Sequence, residues 1–301
     1  MSTPSQSGDT LRGLGFAMCA YVFWGFLPLY MKLLSHMSPI EVVAHRVIWS
    51  VPIALLTLIL LGRTNDLLTA LKSPRMLFMG FITAALISIN WGIYVWSIAE
   101  GRTLDAALGY YINPLFLVAL GAVLLRERLT RAQIVAVALA TVAVVVLVQQ
   151  ADEIPWPAFG LTASWGFYAF FKRKLQIGPN QGFLLEVLIL TPPALIYLGW
   201  LAATGQGAIF AGSPTDTWLL IGCGAVTAIP LMLYANGAKG LKLSTIGILQ
   251  YIAPTMIFLV AVFAFGEEFD QARMIAFPII WLALIIYSWS LLSNMRKERS
   301  A

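Results

Sequence analysis

Charge is what this chain has least of. Only 11% of its 301 residues are charged and 59% are hydrophobic, against roughly 25% and 45–50% in soluble globular domains. That composition excludes an ordinary water-soluble protein, and ten Trp with 17 Phe exclude a disordered one, because so much apolar surface does not stay solvated. Cysteine is scarce as well. Cys19 and Cys223 both fall inside apolar runs, which leaves neither a disulfide framework nor a metal-ligand spacing. The 19 Lys and Arg are scattered one to three at a time and build no continuous basic face, so nucleic acid is not an expected partner. There is no GxxxxGKS/T phosphate loop, no HExxH zinc motif and no GxSxG elbow. No ATP-driven motor is encoded, an intramembrane hydrolase is disfavoured, no cofactor or metal is expected, and energy has to come from a gradient.

What is present is a series of long apolar runs. A membrane-spanning helix takes about 20 such residues, and cutting the chain at its Gly, Pro and charge clusters predicts ten: 11–34, 40–61, 75–99, 104–125, 130–149, 156–172, 181–202, 216–238, 243–265 and 272–293. The predicted fold class is an all-α polytopic membrane protein with short loops. The first run reads as a retained helix rather than a signal peptide, behind a short polar leader. Positive charge marks the cytoplasmic side of such proteins. With the N-terminus inside, 15 of the 19 Lys and Arg fall inside, three fall outside (Lys32, Arg102, Arg273) and Arg46 lies within a span, while Glu100, Asp105, Asp152, Glu153, Asp216, Glu267, Glu268 and Asp270 fall outside. Both termini are expected in the cytoplasm.

The chain also repeats itself. Tyr111-Ile112-Asn113-Pro114 recurs as Tyr251-Ile252-Ala253-Pro254, with Glu127 and Glu267 each 13 residues past the proline, all at an offset of 140. Near that offset Trp24-Gly25-Phe26 matches Trp165-Gly166-Phe167, Ile89 and Tyr94 match Ile229 and Tyr234, and Glu41-Val42 is echoed by Glu186-Val187. Chance similarity between apolar helices favours Leu, Val and Ala, not Tyr, Pro, Trp and Glu. Five spans per half is an odd number, so the second half is expected to enter the membrane upside down, as an inverted repeat.

These residues carry a resemblance to a known family. Tyr21-Val22-Phe23-Trp24-Gly25, His45-Arg46-Val47-Ile48-Trp49-Ser50, Asn90-Trp91 with Trp96, Ala107 to Leu115 with Glu127-Arg128, and Leu243 to Gly247 running into Gln250 to Thr255 resemble the ten-helix drug/metabolite transporter superfamily with two EamA-type repeats, and within it the RarD-type permeases. The likeness covers nearly all of residues 10 to 295. It implies one EamA repeat at 10–150, a second at 155–295, and cytoplasmic tails at 1–9 and 296–301. It further implies a multi-pass permease of the bacterial inner membrane for small metabolites or drugs. The customary label of that subfamily names chloramphenicol, which makes amphenicols a weak expectation only.

Candidate site residues follow from what is costly in lipid. Prolines inside spans remove backbone hydrogen bonds that lipid does not replace. Because Pro114 and Pro254 are equivalent, they are read as interrupted helices beside the substrate region, or else as plain packing kinks. Each would free a carbonyl one turn earlier, at Tyr110 and Gln250. A charge within a span costs on the order of 3 kcal/mol, which singles out Glu41, His45 and Arg46. Glu41 and His45 share a helical face, and Arg46 lies roughly 9 Å deep at 1.5 Å per residue. They are candidates for proton transfer or for binding a polar group; in the alternative, Arg46 snorkels outward and Glu41 pairs with it. Glu186 would be the counterpart of Glu41 at the other gate. Trp24, Trp49, Trp91 and Trp165 fall near mid-membrane, whereas Trp156, Trp200, Trp218 and Trp289 fit an interfacial belt. With Tyr94, Tyr110, Tyr111, Tyr168, Tyr234, Tyr251, Asn90, Asn113, Asn236 and Gln250, the central tryptophans would line a cavity for a flat solute, or pack between helices. Ala132, Ala136 and Ala140 form a small-residue ribbon for close helix packing, with a homodimer contact as one use of it.

Overall fold

The computed structural model of the chain describes residues 10–62, 64–124, 126, 129–150, 153–172, 175, 177–208, 213–238, 240–241, 245–246 and 249–300. Every regular element among them is a helix. In chain order these are α1 (Leu11–Leu33), α2 (Pro39–Leu60), α3 (Thr64–Leu71), α4 (Pro74–Ala99), α5 (Thr103–Leu124), α6 (Arg131–Gln150), α7 (Trp156–Lys172), α8 (Pro179–Thr204), α9 (Pro214–Ala238), α10 (Ile252–Leu259) running into a π-helical turn (Val260–Ala264), and α11 (Gln271–Ser300). Eight of them are long and apolar enough to cross a bilayer. The 17 residues of α7 and the 13-residue apolar stretch Ile252–Ala264 fall below that length.

Local chemistry explains the boundaries. Thr10 caps α1 through a bond from the Gly13 amide at 3.0 Å, and α2, α4 and α8 open on Pro39, Pro74 and Pro179, where the missing N–H costs nothing. Helix α8 closes on Gly205 at φ +68°, the left-handed position that a side chain disfavours. Short α3 was not foreseen from the sequence; its apolar positions Leu67 and Ala70 are buried beside α8. The two marker prolines differ in setting. Pro114 lies within an unbroken α5, whereas Pro254 sits in the first turn of α10, after a turn at Gln250 and Tyr251. Of these two, Pro254 alone lies beside a helix break. Its partner acid in the first half, Glu127, lies outside the described residues, as do Arg128, Asp152, Ser244 and Gly247.

Packing follows a regular scheme. The most extensive contacts are α1 on α9 and α7 on α4, α2 on α9 and α8 on α4, α1 on α10 and α7 on α5, then α2 with α8, α5 with α10 and α6 with α11. Exchanging α1 with α7, α2 with α8, α4 with α9, α5 with α10 and α6 with α11 returns the same set. Glycine sets several of these contacts, and two of them match across the halves: a Cβ on Gly25 would collide with Met256 of α10, and one on Gly166 with Phe116 of α5. Gly25 and Gly166 belong to the repeated Trp-Gly-Phe triplet, and Phe116 and Met256 stand 140 apart. The alanine ribbon is used within the chain, since Ala136 and Ala140 are buried in one cluster with Ala272, Ala276 and Ala283 of α11.

Charges gather at one end of the bundle. Asp105, fully buried in the first turn of α5, accepts from Arg102 Nε at 2.8 Å and from Arg273 at 3.0 Å. Arg102 also reaches Glu153 at 3.3 Å, and Arg273 reaches Asp270 at 3.1 Å. The Glu267 carboxylate caps α5, accepting from the Thr103 and Leu104 amides at 2.7 and 2.8 Å. Burial pushes the Glu267 carboxyl above its ordinary range, against the pull of the Thr103 and Leu104 bonds and of Arg273. His36 lies 3.3 Å from Asp216 at the same end. These groups are the ones the charge asymmetry places outside.

The clamp gives a prediction. Asp105→Asn leaves two arginines facing a neutral amide and should destabilise the protein by about 3 kcal/mol, the low end for a broken buried pair because both arginines are partly exposed. Glu267→Gln, which keeps one acceptor and turns an amide NH2 towards the second α5 donor, should cost less, about 1 kcal/mol. Thermal unfolding of both variants in detergent checks the order.

Candidate functional site

The polar side chains of the interior converge where α2, α4, α5, α7 and α9 meet. Arg46 is the centre of this layer. Only 3% of it is exposed, and it points inward. Its Nε donates to Thr227 Oγ1 of α9 at 3.0 Å, and its guanidinium lies over the Trp91 ring of α4 at 4.8 Å. Thr227 donates in turn to the Cys223 carbonyl one turn earlier, at 2.7 Å. A close approach of backbones makes this possible: Gly224 has no Cβ, and one there would collide with the Trp49 carbonyl of α2. Cys223, Tyr94 and Tyr110 are among the described groups near enough to feel the Arg46 charge.

A second chain of bonds holds the opposite wall. Tyr110 donates to Asn90 Oδ1 at 3.2 Å, and Asn90 Nδ2 donates to Ser164 Oγ at 3.0 Å and the Leu161 carbonyl at 3.2 Å. Asn90 thereby ties α4, α5 and α7 together. Tyr94, Tyr110, Trp165 and Tyr168 form a run of ring contacts at 6.0, 6.3 and 5.5 Å. Trp24 joins Tyr234 at 5.7 Å and Tyr21 at 5.6 Å on the α1–α9 side. Buried polar atoms without a hydrogen-bond partner concentrate in the same layer: both ring nitrogens of His45, one terminal nitrogen of Arg46, Trp49 Nε1, Ser50 Oγ, Tyr94 Oη and Asn113 Oδ1.

The other candidates are placed elsewhere. Tyr111 turns away from Tyr110, donates to Thr255 Oγ1 at 2.8 Å and packs on Phe277 and Trp281. Together with Tyr251, Thr255, Ser288 and Trp289 it lines a separate groove of about 580 Å³ between α5, α10 and α11. Trp281, Ile285 and Trp289 are exposed there, so this groove faces outward. Adjacent residues on a helix point about 100° apart, which is why the two tyrosines of one motif serve different surfaces. Asn236 is exposed and bonds back to its own helix, and Gln250 lies half-buried in the turn before α10.

Glu41 is buried, yet Arg46 is not its partner: it accepts from the Ala208 amide at 2.7 Å. No ion pair joins the two among the described residues, and Arg46 does not snorkel outward. Glu186 is buried at the other end, paired with Lys172 Nζ at 2.5 Å and accepting from Tyr168 Oη at 3.2 Å. Thr227, Ser164 and Asp105 went unmarked in the sequence. A lone hydroxyl in a span carries no signal there, and Asp105 read only as one of several outer acids.

The amino-acid pattern of the EamA-like transporter family matches residues 11–149. The chain is 41% identical over 287 residues to an uncharacterized transporter of Vibrio cholerae, covering 95% of this chain and 94% of that one. It is 39% identical over 288 residues to Protein RarD of Streptomyces exfoliatus, covering 96% and 91%. One crystal structure superposes with a TM-score of 0.60 at 20% identity over 94% of this chain and 98% of the other, a likeness of fold.

The split between neighbouring tyrosines is testable with cysteines in a background lacking Cys19 and Cys223. Tyr110→Cys should react with a membrane-impermeant thiol reagent through the interior layer. Tyr111→Cys should react only with a lipophilic maleimide. The same reactivity at both positions would remove the distinction.

Proposed function

This chain belongs to the EamA-like transporter family as a RarD-type permease, and from that premise we propose that it is a secondary transporter moving small metabolites or drugs by alternating access across the bacterial inner membrane. The observation that carries the reading is the interior layer around Arg46, lined by polar and aromatic side chains and lying where the two halves of the chain meet. In this reading α7 and the α10 segment complete ten passes, and residues 10–150 and 155–295 are two inverted repeats. The self-exchanging helix contacts and the matched glycine contacts at Gly25 and Gly166 support that arrangement. Both termini are cytoplasmic, which puts the Asp105 clamp at the periplasmic end and the Lys172–Glu186 pair at the cytoplasmic end.

Trp24, Trp49, Asn90, Trp91, Tyr94, Tyr110, Asn113, Trp165, Tyr168 and Tyr234 then line or border the substrate path, with Glu41, His45, Arg46 and Glu186 as proton or gating groups. Glu41 and Glu186 each hold a contact near one gate, to the Ala208 amide and to Lys172, that protonation would weaken. A passive channel or lipid scramblase is the alternative. It would need no such pairing of halves about a central polar layer.

Two measurements test this reading. In proteoliposomes under an imposed proton gradient, a panel of amino acids, aromatic metabolites and amphenicols should show gradient-driven movement of at least one member. Glu41→Gln should abolish driven transport while substrate counterflow persists, and unchanged driven transport would eliminate Glu41 as the proton carrier. Cysteines near Asp216 should label from outside intact cells and those near Lys172 should not; the reverse would overturn the orientation.

A further inference from the structure

Arg46 carries a charge that no acid among the described residues pairs with. A guanidinium does not shed its proton in a protein, so burial leaves it charged and in need of a counter-charge. The buried acids are committed elsewhere: Asp105 to Arg102 and Arg273, Glu186 to Lys172, and Glu41 to the Ala208 amide. Among the described residues, the titratable groups facing Arg46 include two phenols, Tyr94 and Tyr110, and the Cys223 thiol, and such groups are neutral at pH 7.

The unpartnered hydrogen-bonding groups at and next to it on α2 include two that can only donate. One terminal nitrogen of Arg46, the indole N–H of Trp49 and the hydroxyls of Ser50 and Tyr94 are buried without partners. Arg and Trp only donate. Arg46, Trp49 and Ser50 also lie at i, i+3 and i+4 on α2, the spacing of one helix face. Thr227 takes Nε and Trp91 covers the flat face of the guanidinium, so the unpartnered terminal nitrogen on its edge is what remains for a ligand. A guanidinium edge suits a planar oxyanion, the partner that charge-assisted bonds favour.

The repeat sharpens the point. At the offset of 140 that relates Pro39 to Pro179 and Pro52 to Pro192, Arg46 corresponds to Glu186, an acid that pairs with Lys172. The scaffold therefore does not require a cation at this position, because its second copy folds without one.

We propose that Arg46 anchors a carboxylate of the transported solute, so that the substrates are small organic acids whose flat or apolar remainder packs among Tyr94, Tyr110 and Trp165. A carboxylate, with one negative charge, balances Arg46. A phosphate monoester, with about −1.5 to −2 at pH 7, would bury an excess. The proposal rests on the central-site reading above and runs against amphenicols, which lack a carboxylate.

The full-length chain in liposomes tests it with benzoate as probe, benzamide as its neutral counterpart and phenyl phosphate as the dianion. Phenylglyoxal modification of Arg46, mapped by peptide mass spectrometry, should be slowed about fivefold or more by benzoate and unaffected by benzamide. Arg46→Gln should reduce benzoate counterflow by about tenfold or more, as expected when a charge-assisted pair loses its charged member. Arg46→Lys, which keeps the charge and loses the fork, should retain part of it. If Arg46→Gln does not fold, the protection pattern and Arg46→Lys decide. Equal modification with benzoate and benzamide, full benzoate counterflow in Arg46→Gln, or stronger protection by phenyl phosphate would each overturn the proposal. A neutral solute transported while Arg46 stays unprotected refutes the carboxylate and leaves the transporter standing. Arg46 protected by benzoate while no solute crosses under any gradient refutes the transporter and leaves the anchor.

Discussion

A polar group placed inside a membrane protein has no water to fall back on, and the arrangement of this chain follows from that constraint. Backbone groups are satisfied by making nearly everything helix. Side-chain groups are satisfied by bonds between helices distant in sequence, as when Asn90 joins α4 to α7 and Tyr110, or Arg46 joins α2 to α9. The same economy of polar groups makes the exceptions conspicuous. Donors left over around Arg46 sit in a layer otherwise bonded with care, and that contrast separates a place for a solute from ordinary packing.

The sequence disclosed class better than contact. Scarce charge and long apolar runs announce a polytopic helical protein, and the recurrent Trp-Gly-Phe triplet marks two glycines that each let a helix close on a large side chain. Arg46 was visible because a cation inside an apolar run has few innocent explanations. Its neighbours were not: Thr227 is 181 positions away, and no local periodicity links it to α2. Rotation about a helix axis was also hidden, so Tyr110 and Tyr111 read as one feature although they face different surfaces. The prolines misled in a related way, since Pro114 and Pro254 look identical in sequence while one lies inside a continuous helix and the other begins a new one. Helix partners are set by tertiary packing, which explains why the alanine ribbon of α6 did not declare α11 as its mate.

The two ends of the bundle are held by unlike means. At one end a buried carboxylate is shared between two arginines, and Glu267 closes a helix N-terminus against the segment leading into α11. At the other, a single lysine meets Glu186 with Tyr168 alongside. Among the described residues, opening the first end requires several charge-assisted bonds to part together, whereas the second shows one carboxylate to release. Salt screens partly buried pairs such as these less than open surface charges, so the difference weighs on which end yields first.

The glycine contacts at Gly25 and Gly166 carry one more consequence, concerning stiffness. At both, a helix rides on one bulky residue seated where a Cβ is missing, but one seat is Met256 and the other Phe116. Methionine turns about three side-chain bonds and refills an uneven gap, while a phenyl ring is rigid. Two bearings that match in position therefore differ in compliance. A rocking motion that loads one and relieves the other would meet unequal resistance in its two directions, giving a scaffold of near-symmetric design a built-in resting orientation.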